Sequence, residues 1–252
     1  TTHLERFING GLQWFTQICP PRVWWFPLKG KLRVVFVDLD GTIVNFHLEL
    51  ERVVSVISRI FSPYVPKEFF ANGPPTLEMI DQATQKLEKK LDPHRSEKLK
   101  QTAIKAFKRE EFRALKNLEP IDGAKEALEQ LNGCYKVVVV TRKTRPVAAR
   151  ALEVLGVELP LIAWEDTSRH KPFPDPLRLA LQQLKTHPWN ALTVGDHIYD
   201  ILSGKRAGTY TAAVLTGVCT REELEKVEPD IILPTFPDVV EWLLSPEDDL
   251  SE

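Results

Sequence analysis

Four consecutive apolar residues, Val34-Val35-Phe36-Val37, run directly into Asp38-Leu39-Asp40-Gly41-Thr42. A short, unbroken, β-branched run suits a strand covered on both faces. The two carboxylates therefore leave a buried strand together at its end, and Gly41 lets the chain turn sharply after them. Further apolar runs stand at 135–140, 192–194 and 212–215, with weaker ones at 161–163 and 231–233. Helical patterns separate them. The alternation predicts an α/β fold, a Rossmann-like doubly wound parallel sheet, in which ligands bind at the carboxyl ends of the strands.

The helices carry their own boundary signals. Asp122 is placed to cap a helix bearing Ala124, Leu128 and Leu131, with Gly133 as its stop. Thr144 caps the next, with Arg145 and Pro146 in its first turn and Gly156 at its end. Asp175 and Pro176 open another, and a shorter helix spans 199–207 before Gly208. Residues 46–118 break the rhythm. They show no strand pattern, and helices are expected around 48–61, 76–91 and 95–117, punctuated by prolines. This stretch holds 14 Lys/Arg against 10 Asp/Glu, whereas the whole chain has 33 against 35. The helix at 97–116 is basic and amphipathic, with Leu99, Ala103, Ala106, Phe107, Ala114 and Leu118 forming its apolar face. The expected organisation is a core of residues 31–45 and 119–245, a helical domain at 46–118, an aromatic arm at 1–30 and an acidic tail at 246–252.

A pair of carboxylates two residues apart can bind a hard divalent cation through oxygen, and one member can attack an electrophile. Asp38 and Asp40 are that pair. Thr141 closes the run Val137-Val138-Val139-Val140. Lys171 lies in Arg169-His170-Lys171-Pro172-Phe173-Pro174-Asp175-Pro176, and Asp196 and Asp200 lie in Gly195-Asp196-His197-Ile198-Tyr199-Asp200. Taken singly, Thr141 reads equally as a strand-end threonine, Lys171 as a solvated lysine and Asp196 as a turn residue. Their joint placement at successive strand ends marks one site.

These four segments resemble, in order, the four signatures of the haloacid dehalogenase-like hydrolase superfamily. The resemblance spans about residues 31–245, and the helical insert resembles the C1 cap of the phosphoglycolate phosphatase-like branch. It implies that Asp38 is a nucleophile forming an aspartyl-phosphate and Asp40 the general acid/base. Thr141 and Lys171 would bind the phosphoryl group. Mg²⁺ would be held by Asp38, Asp196 and the Asp40 carbonyl, with Asp200 orienting the metal site or Lys171. Two departures stand out. His197 occupies a position where relatives often have Ser or Thr, and it reads either as a phosphate donor or as a loop residue. Arg142 follows Thr141 where Asn is common, and it reads as a substrate contact or as solvent-facing. Arg145 is a weaker candidate of the same kind, and His170 reads as a loop residue. Dehalogenases of the family lack the acid/base Asp, so Asp40 argues for phosphoryl chemistry.

The implied function is a Mg²⁺-dependent phosphatase acting on a small phosphorylated metabolite, with phosphoglycolate as first substrate. The alternatives are a sugar phosphomutase, a pyrophosphatase or, from another class, a non-catalytic binding module using the aromatic arm. Composition narrows the rest. The net charge of −2 and the absence of a nucleic-acid module argue against a nucleic-acid partner. No apolar run reaches the roughly 18 residues that would mark a spanning helix. Cys19, Cys134 and Cys219 are odd in number and far apart, which fits a reducing, cytoplasmic setting. Residues 1–30 hold Trp14, Trp24 and Trp25, without the charge and cleavage pattern of a signal peptide. They read as an arm packed on the core, or as a peripheral contact with a protein or membrane surface. A monomer or homodimer is expected.

Overall fold

The computed structural model describes residues 30–66, 68–71, 77–88 and 91–245. The expectations for the arm, for Cys19 and for the acidic tail fall outside these residues. The chain divides into two compact units: residues up to Asn45 together with those from Glu119 onward, and Phe46–Leu118.

The first unit is an α/β core around a six-stranded sheet. Its strands are β1 (Val34–Val37), β4 (Lys136–Val140), β5 (Leu161–Ile162), β6 (Ala191–Gly195), β7 (Tyr210–Val214) and β8 (Ile231–Leu233). The order is β5-β4-β1-β6-β7-β8, with every pairing parallel. β1 lies between β4 and β6, with Val34 facing Lys136 on one side and Ala191 on the other. The chain winds outward from β1 to β5, then returns to build the other half from β6. The strand order reverses beside β1, and in open sheets that is where ligands bind. All four β1 residues are buried, as an unbroken apolar run requires.

The helices of this unit are α5 (Ala124–Cys134), α6 (Arg145–Leu155), α7 (Asp175–Leu184), α8 (Ile198–Ala207), α9 (Arg221–Lys226) and α10 (Phe236–Leu244). Leu177, Ala180 and Leu181 of α7 pack on Val34, Phe36, Val138 and Val140. Ile201 of α8 joins Ala213 and Leu224 in a second cluster. Each fully buried Leu or Phe contributes roughly 1.5–3 kcal/mol. Thr144 stands at the N-cap position of α6 but its side chain makes no capping bond there, whereas Gly156 is the C-cap, as expected. The α5 boundaries differ from expectation. Gly123, not Asp122, is the N-cap residue, and no side chain caps it. The helix runs through Gly133 to Cys134, because Leu128 and Leu131 stay buried and packing outweighs the local preference of glycine to stop. A small antiparallel pair, β2 (Val44–Asn45) with β3 (Glu119–Pro120), escapes the sequence pattern because two-residue strands carry no periodicity.

The second unit is helical throughout its described residues: α1 (Leu50–Phe61), α2 (Glu68–Ala71), α3 (Leu77–Leu87) and α4 (Pro93–Ala114). Asp92 caps α4 by accepting from the Arg95 N–H, with Pro93 in the first turn. Phe61, Phe70, Ile80 and Leu87 are fully buried with Ala103 of α4. The polar pattern of α4 misleads at two positions. Glu110 and Glu111 are buried, and Glu110 is held between Arg52 and Arg113, each at 2.8 Å. Of the expected apolar face, Leu99 is only half-buried, and Leu118 lies beyond the helix, which ends at Ala114. Among the described residues, no helix is long and apolar enough to cross a membrane.

Candidate active site

β1, β4 and β6 end side by side, so Asp38, Thr141 and Asp196 all lie at the carboxyl ends of adjacent central strands. The Asp38 N–H extends the ladder by donating to Val194 O at 2.9 Å, which fixes the root of its side chain. The chain then folds back on itself: the N–H groups of Ile43 and Val44 both donate to Leu39 O, and the Gly41 N–H donates to Val44 O at 2.7 Å. Gly41 has φ of +81°, where a side chain is strained. A Cβ there would also lie 2.6 Å from the Asp196 carboxyl carbon.

Lys171 binds the parts together. Its ammonium donates to Asp38 Oδ1 at 2.6 Å, to Asp200 Oδ1 at 2.5 Å and to Val140 O at 2.8 Å. An ammonium has three donors, and all three are used. The lysine side chain is 4% exposed, so its charge is paired almost entirely inside the protein. The flanking acids raise its pKa despite the opposing effect of burial, so it stays charged.

Asp196 has different surroundings. It accepts from the Thr42 hydroxyl and from the Val218 N–H, each at 3.3 Å, and among the described residues no cation pairs with it. Gly217 lets the neighbouring loop come this close, since a Cβ there would sit 1.7 Å from Asp196 Oδ2. Burial, with Asp200, Asp38 and Asp40 nearby, pushes the Asp196 carboxyl up to about 8. Burial likewise pushes Asp38 up to about 6, with Lys171 opposing and Asp200 adding to the rise. Oxygens of Asp38, Asp196 and Asp200 lie within 4.8 Å of one another. Such a cluster has more negative charge than Lys171 can balance, and its oxygen donors suit a hard divalent cation. Both Asp200 oxygens are engaged, one by Lys171 and the other by the His197 N–H at 3.2 Å. Both Asp196 oxygens accept as well, but only from neutral donors at 3.3 Å, so Asp196 is the acid of the three that has no cationic partner among the described residues.

The remaining candidates separate. The Asp40 carboxylate turns to Lys143, with Oδ2 2.9 Å from Nζ, and stands outside the three-acid cluster. Thr141 Oγ1 accepts from the Lys143 N–H at 3.1 Å. His197 Nδ1 accepts from the Tyr199 N–H at 3.1 Å, which requires that nitrogen to be unprotonated; burial also lowers the His197 pKa. The His197 ring meets the Tyr199 ring edge-on, and the Arg142 guanidinium lies 5.1 Å from the centre of the same Tyr199 ring. Arg145 is drawn away: its guanidinium pairs with Asp166 and its N–H donates to Glu165. Three further side chains stand at the site: Lys143 beside Asp40, Thr42 beside Asp196, and Thr216, whose hydroxyl donates to Gly41 O at 2.5 Å. Thr42 lay inside the recognised segment and was legible there. Lys143 and Thr216 carry no local signal.

Unbalanced carboxylates gathered beside a buried, fully bonded lysine at the switch point of a doubly wound sheet are the equipment of an enzyme. The model of the haloacid dehalogenase-like hydrolases matches residues 34–214, and the chain belongs to that family. The pyrophosphatase PpaX of Halalkalibacterium halodurans is 29% identical over 221 residues, covering 84% of this chain and 96% of its own. That of Bacillus cereus strain Q1 is 30% identical over 214 residues, covering 83% and 95%. Among solved structures, a predicted phosphoglycolate phosphatase from Haemophilus somnus 129pt has the same fold, with a TM-score of 0.60 at 22% identity, over 84% of this chain and 98% of that one.

Proposed function

We propose that the chain is a divalent-cation-dependent phosphatase that hydrolyses a small phosphorylated compound through an aspartyl-phosphate on Asp38. The observation that carries this reading is the Asp38 carboxylate at the end of β1, fixed at 2.6 Å by a lysine that also holds Asp200. Asp38 attacks phosphorus and forms an acyl-phosphate bond as the bond to the leaving oxygen breaks. Asp40 gives that oxygen a proton, then takes one from water as the water attacks the acyl-phosphate, which regenerates Asp38 and frees phosphate. Thr141 and Lys171 counter the charge on the phosphoryl oxygens. Asp38, Asp196 and the Asp40 carbonyl would hold Mg²⁺, which when bound neutralises phosphoryl charge. Residues 46–118, inserted between β2 and β3, would serve as the cap that selects the substrate.

The names of the two bacterial relatives make inorganic pyrophosphate a substrate to set beside phosphoglycolate. Phosphate release from pyrophosphate, phosphoglycolate and β-glucose 1-phosphate, with and without Mg²⁺, tests the reading. Mg²⁺-dependent release from one of the first two supports it, with kcat/KM at least about tenfold above the others. Isomerisation of the sugar phosphate without release, assayed with its bisphosphate activator, would identify a mutase. No release from any of the three would count against the reading.

The raised carboxyls also make a thermodynamic prediction. An acid whose folded pKa lies above its unfolded value stabilises the fold below the unfolded pKa and loses that contribution as pH rises through the folded one. For Asp38 and Asp196 this window runs from about 4 to about 8. The metal-free protein should therefore show a falling urea midpoint across that range, and Mg²⁺ should restore much of it at pH 8. A midpoint insensitive to Mg²⁺ at pH 8 would contradict the proposed ligand set.

A further inference from the structure

Lys171 reaches its three acceptors from residues 167–174, which form turns but no helix or strand. On its C-terminal side this loop is anchored by α8, where Ser203 Oγ donates to Phe173 O and Arg206 Nη1 to Pro172 O, both at 2.8 Å. On its N-terminal side the neighbour is the buried His170. The His170 imidazole lies flat on the indole of Trp164, with ring centroids 3.3 Å apart and planes 20° from parallel. Trp164 opens a single 3-10 turn, Trp164–Asp166, directly after β5. That turn is fastened to the loop that follows β4. The Trp164 N–H donates to Lys143 O at 3.1 Å, Glu165 accepts from the Arg145 N–H at 2.8 Å, and Asp166 pairs with the Arg145 guanidinium.

We propose that Trp164 is a positioning residue whose indole, stacked on His170, ties the placement of Lys171 to the β4 loop that carries Thr141. The two loops are 30 residues apart in sequence (Thr141 to Lys171), yet both must meet the same phosphoryl group. The stack joins them through one rigid aromatic contact, and aromatic pairs of this kind hold their geometry. What Lys171 does in turnover rests on the phosphatase reading; the geometry of the stack does not. A displacement of about 1 Å in a catalytic group can cost on the order of 10²-fold in rate, so loosening one side of the Lys171 loop should be visible.

Two variants separate this role from a general loss of packing. Trp164→Ala removes the ring but keeps the bonds of the turn, which use the Trp164 main chain and its neighbours. Trp164→Phe keeps a flat surface for His170. With p-nitrophenyl phosphate at saturating Mg²⁺, Trp164→Ala should lower kcat about tenfold, with KM and the Mg²⁺ half-saturation within about twofold, and Trp164→Phe should recover most of the loss. Adding His170→Ala to Trp164→Ala should cost little more, because the coupling is already broken. Hydrogen exchange over residues 167–174 reads the same coupling without turnover. It should accelerate in the Ala variant and not in the Phe variant, whether or not the phosphatase reading holds. Unchanged exchange with unchanged kcat in Trp164→Ala would overturn the proposal, as would equal damage in both variants accompanied by equal falls in melting temperature.

Discussion

Asp38→Asn should abolish turnover, by at least about 10³-fold in kcat, while leaving a folded protein. The amide is nearly isosteric with the carboxylate but cannot form the acyl-phosphate. The fold should survive because Lys171 keeps Asp200 at 2.5 Å and Val140 O at 2.8 Å. The substitution also removes a charge that burial opposes, since the Asp38 carboxyl is pushed up to about 6. Near-native stability with lost activity is therefore the expected combination. Acid-quenched reactions with ³²P-labelled substrate give a direct readout: label should appear on a peptide containing residue 38 in the parent protein and be missing in the variant. Activity retained in Asp38→Asn would show that phosphoryl transfer does not pass through this residue.

Lys171→Met should be the most destabilising single change at the site. It leaves Asp38 and Asp200 buried, close together and without their cation, and leaves Val140 O without its lysine donor. Removing one partner of a buried pair costs about 3–5 kcal/mol. For a chain of this size that is roughly 10 °C in melting temperature. The loss should shrink on acidification, because protonating Asp38, whose carboxyl burial already pushes up to about 6, relieves the repulsion. It should be largest near pH 8 and smaller near pH 5. Urea midpoints of parent and variant at the two pH values measure this. A variant as stable as the parent at pH 8 would mean that the lysine serves chemistry alone. Turnover should also fall sharply, since Lys171 lies against Asp38.

Much of the core could be read locally. Val34-Val35-Phe36-Val37 and Val137-Val138-Val139-Val140 are continuous apolar runs, and both are buried strands of the parallel sheet. The acidic pair after the first run had to emerge at a strand end, because backbone geometry and a glycine with positive φ leave it nowhere else. The misreadings occurred where tertiary burial overrode a local preference. Glu110 lies outside the apolar pattern of the basic amphipathic helix, yet it is buried between two guanidinium groups. Gly133 looked like a stop, but it lies inside a helix whose apolar face is held by packing.

Sequence alone determined the strand–helix alternation and the acids that close its central strands, because period, capping and turn chemistry act between residues a few positions apart. Tertiary structure decided how those acids are balanced: Lys171 against Asp38 and Asp200, Lys143 against Asp40, and Thr42 and the amide beside Gly217 around Asp196. It also laid Trp164 on His170. Most of these contacts join loops brought together by the parallel crossovers of the sheet, so no local pattern encodes them. Charge and burial at the site arise from that convergence, which exists only once the chain has folded.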